Sequence, residues 1–330
     1  MSKVMINTLG LSTVGIASYF WGRSSSSPSS TVVIEPPSPP TSNVPAGKGN
    51  GNNQIINQFD VTKVRPQEFF KYGFPGPIHD LETRQEFVSC YDRASRNPYW
   101  VVEHLTKESV KKASGVDRKN SVFKEDEAIP LKFRNRLRDF FRSGYDRGHQ
   151  APAANARFNQ DAMDETFYLT NMSPQVGEGF NRDYWAHFED FGRRLTEKYD
   201  DVRIMTGPLY LPKKGDDGKY RISYEVIGSP PNIAVPTHFF KLIVGENKQD
   251  DGKISVGAFV LPNEKISNDL SLTIFQVPIE ALERSSGLDL LQKVPYYNKK
   301  DLCKEVKCEI IVREFPKQVN STLGLPAPKK

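Results

Sequence analysis

The sequence predicts a mixed α/β body folded as one domain behind an N-terminal appendage. Three observations carry this reading. Five runs rich in β-branched and aromatic residues are bounded by Gly, Pro or Asn, the signature of strands. One long segment repeats apolar residues at helical steps. The two kinds of run do not alternate as clean βαβ units. The length of 330 residues suggests about two domains but also admits one large α/β domain. Charged residues at 26% and hydrophobic ones at 37% exclude a polytopic membrane protein, a collagen-like chain and a wholly disordered chain. Three cysteines exclude a disulfide-stapled scaffold. The net charge of +5 admits an anionic partner without requiring one.

The elements follow in order. Residues 1–23 hold an apolar-rich stretch from Val4 to Trp21 between Lys3 and Arg23, and no acidic residue precedes Glu35. The stretch is long enough to cross a bilayer once and basic enough for a mitochondrial targeting segment. The plain alternative is an N-terminal helix that buries its apolar face elsewhere. Residues 24–60 are rich in Ser, Pro, Gly and Asn, lack apolar periodicity, and read as a disordered linker. The body is expected over 61–318, with a flexible tail at 319–330. Strands are expected at 99–105, 166–172, 202–206, 238–244 and 254–261. A helix is expected from Arg182 to Tyr199, because Tyr184, Phe188, Phe191, Leu195 and Tyr199 form one stripe. A second helix is expected over Ile279–Leu291, despite Gly287. Cys303 and Cys308 lie five apart. A disulfide there requires an oxidising compartment, and free thiols are the expectation.

The chemistry gathers around Asp146-Arg147-Gly148-His149. Histidine is the side chain best suited to take a proton near neutral pH. On an extended segment Arg147 and His149 share a face, while Asp146 turns to the other. An imidazole that deprotonates water, beside a guanidinium that balances phosphoryl charge, suits a phosphodiester. A surface strand end with an Arg–Asp pair is the structural alternative. Between Lys132 and Arg147 stand six basic residues against two acidic ones, a local charge of +4, interleaved with Phe133, Phe140, Phe141 and Tyr145. This reads equally as a phosphate-binding surface or as a solvated helix with a buried aromatic face. Asn181, Trp185 and Glu189 fall on one helical ridge. The Asn181 amide oxygen is a hard ligand for Mg²⁺, and Glu189 could hold one of its waters. Alternatively, Asn181 is an N-cap and Glu189 belongs to a solvated face. Nothing in the residues themselves brings Arg118 to this site. His79, His104, His187 and His238 lack ligand-spaced partners and read as structural.

At these residues the sequence resembles the DNA/RNA non-specific endonucleases of the ββα-metal type, closest to their mitochondrial branch. The likeness runs through residues 70–76, Asp117–Ser121, Asp146–Ala154, Asp164–Gln175, Asn181–Glu189 and Thr206–Tyr210. It implies an α+β fold with a central antiparallel or mixed sheet flanked by helices. The ββα core would be a strand near 145–150, a strand near 166–172 and the helix from 182. It implies His149 as general base, Arg147 and Arg118 as neutralisers of transition-state charge, Asn181 as the direct metal ligand, and Glu189 as holder of a metal-bound water. The implied cofactor is Mg²⁺, with Mn²⁺ as an alternative. The implied substrates are DNA and RNA, single- and double-stranded, cut to 5′-phosphate and 3′-hydroxyl ends. A homodimer, and residence in the mitochondrial intermembrane space or on the inner membrane, are implied as well. Two other classes compete: a tethered nucleic-acid-binding protein that has lost catalysis, and a phosphodiesterase acting on a lipid head group.

Overall fold

In the computed structural model, residues 66–73 and 80–313 are described. The segments expected at 1–23, 24–60 and 319–330, with His79 and residues 74–76 of the 70–76 motif, lie outside them. Among the described residues, no helix is long and apolar enough to cross a membrane. Two compact units are distinguished there: the body, and a short piece at Lys213–Arg221.

The body is built on one large sheet. Its strands are β1 (Asp80–Thr83), β2 (Phe87–Asp92) and β3 (Asn97–Leu105), then, after a separate pair β4 (Asp146–His149) and β5 (Met172–Gln175), β6 (Asp201–Leu209). The short piece is a hairpin of β7 (Lys213–Lys214) and β8 (Tyr220–Arg221), closed by an Arg221–Asp217 ion pair. A two-stranded ribbon, β9 (Val226–Ile227) and β10 (Ile233–Ala234), follows in the body. The large sheet then continues with β11 (His238–Glu246), β12 (Ile254–Pro262), β13 (Gln276–Val277) and β14 (Lys299–Asp301). Its order is β1-β2-β3-β6-β11-β12-β13, antiparallel throughout, with β14 joining β12 in parallel. The helices are α1 (Pro66–Phe69), α2 (Leu137–Phe140), α3 (Gln160–Glu165), α4 (Tyr184–Arg194), α5 (Ile279–Ser286) and α6 (Leu302–Glu305).

The central strands read as near-continuous apolar runs because both faces are covered. On β11, Phe239 and Ile243 turn toward α4, where they join Trp185, Phe188 and Phe191. Phe240, Leu242 and Val244 turn the other way, toward Leu282 and the Leu288–Leu291 turn. The N-terminal segment is tied to the sheet by charge: Glu246 accepts from Lys71, Tyr72 and Arg203, and Arg203 also donates to the Glu68 carbonyl.

Four expectations shift. The run at 166–172 is not a strand: it leaves α3 by a turn, makes a 3₁₀ turn at Leu169–Asn171, and becomes extended only from Met172. Its apolar content reflects burial of Phe167 and Leu169 in two small clusters rather than a pleat. The helix expected from Arg182 starts at Tyr184, after a wide turn at Gly177–Asn181, and its last turn is 3₁₀. Its predicted stripe is buried along its whole length. α5 stops at Ser286, since Gly287 takes φ +70° and its N–H returns to the Glu283 carbonyl, a left-handed helix stop. Cys303 and Cys308 are joined as a disulfide, because the turn out of α6 brings their Cα atoms to 5.2 Å. Cys90 is buried in β2.

Candidate active site

β4 and β5 form an antiparallel pair in which His149 stands opposite Met172 and Asp146 opposite Gln175. The glycine of the motif is a packing requirement. A Cβ on Gly148 would lie 2.0 Å from Gln175 Oε1. With no side chain there, the β5 glutamine folds flat across the strand.

His149 is buried, and its ring meets Phe167 edge-on at 4.8 Å and Phe123 at 5.7 Å between centroids. Arg147 places its guanidinium 4.2 Å above the Phe123 ring, and Arg118 sits 5.3 Å from the Phe167 ring. Each aromatic ring is thus shared by the imidazole and one cation, which meets it in a cation–π contact. Burial first, then the charges of Arg118 and Arg147, hold the His149 pKa well below the ordinary imidazole value. The ring is neutral at pH 7, and its buried Nε2 has no hydrogen-bond partner among the described residues. Arg118, which only the family resemblance assigned to this site, arrives through a 3₁₀ turn capped by Asp117, whose side chain accepts from the Lys119 N–H.

Asn181 reaches the same strand through Asp146. Its Nδ2 donates to Asp146 Oδ2 at 2.9 Å, while Arg182 grips both Asp146 oxygens at 2.7 and 2.5 Å. A carboxylate only accepts, so this bond fixes which end of the Asn181 amide is which. The acceptor, Oδ1, is left for another partner. That is the donor a hydrated hard cation takes, so the side chain fits the metal role. Among the described residues, no group of three His, Cys, Asp or Glu is gathered for an ion. Asn181 is not an N-cap: it ends the Gly177–Asn181 turn, its own N–H bonding the Val176 carbonyl, and Asp183 precedes α4. Gly179 makes that turn with φ +78°, packed on Lys265.

Glu189 lies on α4, four residues past Trp185. Burial raises its carboxyl pKa, opposed by Lys241, Arg193 and Arg118, in that order, and by the Trp185 indole N–H.

Two contributors escaped the sequence reading. Asp146 was assigned to the far face, yet it is what orients Asn181. Asn171 is fully buried; its Oδ1 accepts from the Ala151 N–H, and its Nδ2 donates to the Ala151 and Thr166 carbonyls. It clamps the chain just after His149. The motif quoted around it was the only signal. The basic stretch before β4 is helical only at α2. Lys132, Arg138 and Arg142 are exposed, Phe140 is buried, and Phe141 is 44% exposed. His104, which bonds Asp201 at 2.6 Å, and His238, which bonds Thr237, are placed structurally, away from Phe123 and Phe167.

Comparison with known proteins agrees with this architecture. The family model for DNA/RNA non-specific endonucleases matches residues 65–297. The chain is 63% identical over 310 residues to the mitochondrial nuclease of Saccharomyces cerevisiae, covering 92% of this chain and 91% of that one. It is 43% identical to the human mitochondrial endonuclease G, over 67% of this chain and 72% of the relative. A crystal structure of the EndoG/EndoGI complex superposes with a TM-score of 0.69 at 50% identity, covering 73% of this chain and 99% of that one. The α+β architecture is that of a ββα-metal nuclease, with β4, β5 and α4 as its core. The chain belongs to the DNA/RNA non-specific endonuclease family, on its mitochondrial branch, and is a mitochondrial endonuclease.

Proposed function

We propose that the chain cleaves DNA and RNA, single- and double-stranded, by Mg²⁺-dependent hydrolysis that leaves 5′-phosphate and 3′-hydroxyl ends. The family is metal-dependent as a rule; Mg²⁺, with Mn²⁺ as substitute, is the ion this reading adds. The observation that carries it is a buried His149 whose two ring neighbours, Phe123 and Phe167, each carry a guanidinium, with Asn181 held to the same strand through Asp146 by its amide nitrogen.

His149 takes the proton of the attacking water. Its low pKa keeps it deprotonated, and its burial fixes its aim. Arg147 and Arg118 meet the charge that builds on the phosphoryl oxygens, held in place by their rings. Asn181 would hold the hydrated ion through Oδ1, and Glu189 would orient one of its waters. When bound, the ion supplies charge stabilisation at the leaving 3′-oxygen. Phosphate contacts carry no base information, so little sequence preference is expected.

The same reading takes residues 61–318 as the nuclease domain. Residues 1–23 would be a targeting or inner-membrane anchoring segment, 24–60 a linker and 319–330 a tail. The working form would be a homodimer, in the intermembrane space or on the inner membrane. The test uses the protein with supercoiled plasmid and, separately, structureless RNA, in Mg²⁺ or EDTA. Both substrates should disappear only with metal, and His149→Ala should lose about 10²- to 10⁴-fold in rate while still binding DNA. Retention of near-parental cleavage by that variant would remove His149 from the base role. Salt-sensitive binding without cleavage by the parent would point to a tethered binding protein.

A further inference from the structure

Beneath the site lies a charged cluster that neither the motif nor the mechanism explains. Lys241 stands in the middle of β11, an interior strand of the large sheet, and is 1% exposed. Its ammonium donates to Thr206 Oγ1 on β6 at 2.8 Å and sits 4.7 Å from the Trp185 ring on α4. The charged groups whose fields act on it are Glu103 of β3, Glu189 and Arg193 of α4, and Glu86 of the β1–β2 turn. Glu103 accepts from Asn155 Nδ2 at 2.5 Å, and Asn155 in turn accepts from Arg193 at 3.0 Å. Neither oxygen of Glu86 meets an N–H or hydroxyl donor among the described residues; its carboxyl faces that of Glu103. Two buried carboxyls so placed hold a proton between them.

Trp185 and Glu189 are one turn apart on α4, so the ring that covers the ammonium lies on the same ridge as the Glu189 carboxyl. A lysine is almost never fully buried without such partners.

We propose that Lys241 is a positioning residue for cleavage: from within the central sheet it seats the Trp185–Glu189 ridge of α4 and so aims the Glu189 carboxyl. The inference rests on the proposed role of Glu189. Trp185 is the second half of the mount: its ring lies on the ammonium, one helical turn before Glu189. Lys241 touches neither substrate nor ion, so its influence passes through Glu189 alone.

A double-mutant cycle tests this. Lys241→Met, Glu189→Gln and the pair are compared with the parent by kcat and KM on plasmid in Mg²⁺, and by melting temperature in EDTA. Lys241→Met should lower kcat about 10- to 100-fold, with KM for DNA near the parental value. In the Glu189→Gln background it should change kcat by less than about twofold, since the group it acts through is gone. In EDTA the pair, which is charge-balanced, should melt above either single variant. If Lys241→Met alone fails to fold, the pair is compared with Glu189→Gln and the same equality is expected. Equal losses of kcat in both backgrounds would overturn the inference while leaving Glu189 in its role. A parental kcat for Glu189→Gln would overturn the role of Glu189, and the inference with it. A pair that melts no higher than the singles would show that Lys241 and Glu189 do not balance each other.

Discussion

A single carboxylate decides how the Asn181 amide is presented. Asp146 accepts from Nδ2, and Arg182 holds Asp146 from the solvent side. Removing that acceptor frees the amide to rotate and to offer its nitrogen. Asp146→Ala should therefore raise the Mg²⁺ concentration needed for half-maximal cleavage about 10- to 100-fold, with DNA binding in EDTA unchanged. A metal titration that overlays the parent would take Asp146 out of this role. His149 makes a pH prediction of the same kind. A buried imidazole flanked by two guanidiniums loses its proton well below its ordinary range. The acid limb of kcat/KM that belongs to it should lie well below pH 6.5. Arg118→Gln and Arg147→Gln, each removing a charge that disfavours the protonated ring, should each move that limb upward.

The elements were legible to the degree that their pattern was periodic. β3, β6, β11 and β12 were found from composition and extend a few residues beyond the expected ends, because the sheet pairs every position across β6 and β11. The α4 stripe was legible for the same reason. The 166–172 segment was misread since apolar content signals burial, and burial there is achieved by a turn. Its backbone is committed elsewhere: the Thr166 N–H donates to the Met163 carbonyl and the Asn171 N–H to the Tyr168 carbonyl. Arg118 was out of reach to local reasoning because 29 residues of chain separate it from Arg147 and only the fold closes the gap. The turn that delivers Asn181 to Asp146 depends on Gly179 at φ +78°, where an added Cβ would lie 2.2 Å from the Lys265 side chain. Gly179→Ala should cost about 1–3 kcal/mol of stability, read by chemical denaturation, and should also raise the Mg²⁺ requirement. A variant as stable as the parent would mean that the turn tolerates another conformation.

At the scale of the whole molecule, buried acids and buried histidines pull stability in opposite directions with pH. Burial first, then Asp126, pushes Glu82 up to about 7; burial raises Glu103 to about 7 and Glu86 well above its usual range. Between the unfolded carboxylate range and these values the folded chain binds more protons than the unfolded one. On their account, stability falls as pH rises through that window. His238, held at about 4 by burial, works oppositely: the unfolded chain binds more protons between about 4 and 6.5, so stability rises with pH there. Glu86→Gln removes one acid from the balance. Relative to the parent, this variant should gain stability steadily as pH rises above about 4.5, reaching parity or better at pH 8 by denaturant titration. A difference independent of pH would mean that Glu86 is ionised in the native state.

The place of Lys241 on β11 has a consequence for anyone who would redesign this protein. Judged only by stability, a charged cluster at the centre of a sheet is a defect, and exchanging its members for apolar or neutral groups of similar size is often stabilising. Here the same exchange would sever the support of the carboxylate proposed to orient a metal-bound water. Lys241→Met with Glu189→Gln would then yield a firmly folded and silent enzyme whose cleft surface, Arg147, His149 and Arg118 included, is untouched. Such a molecule could hold nucleic acid without cutting it, which makes the interior of the sheet the place from which to separate grip from scission.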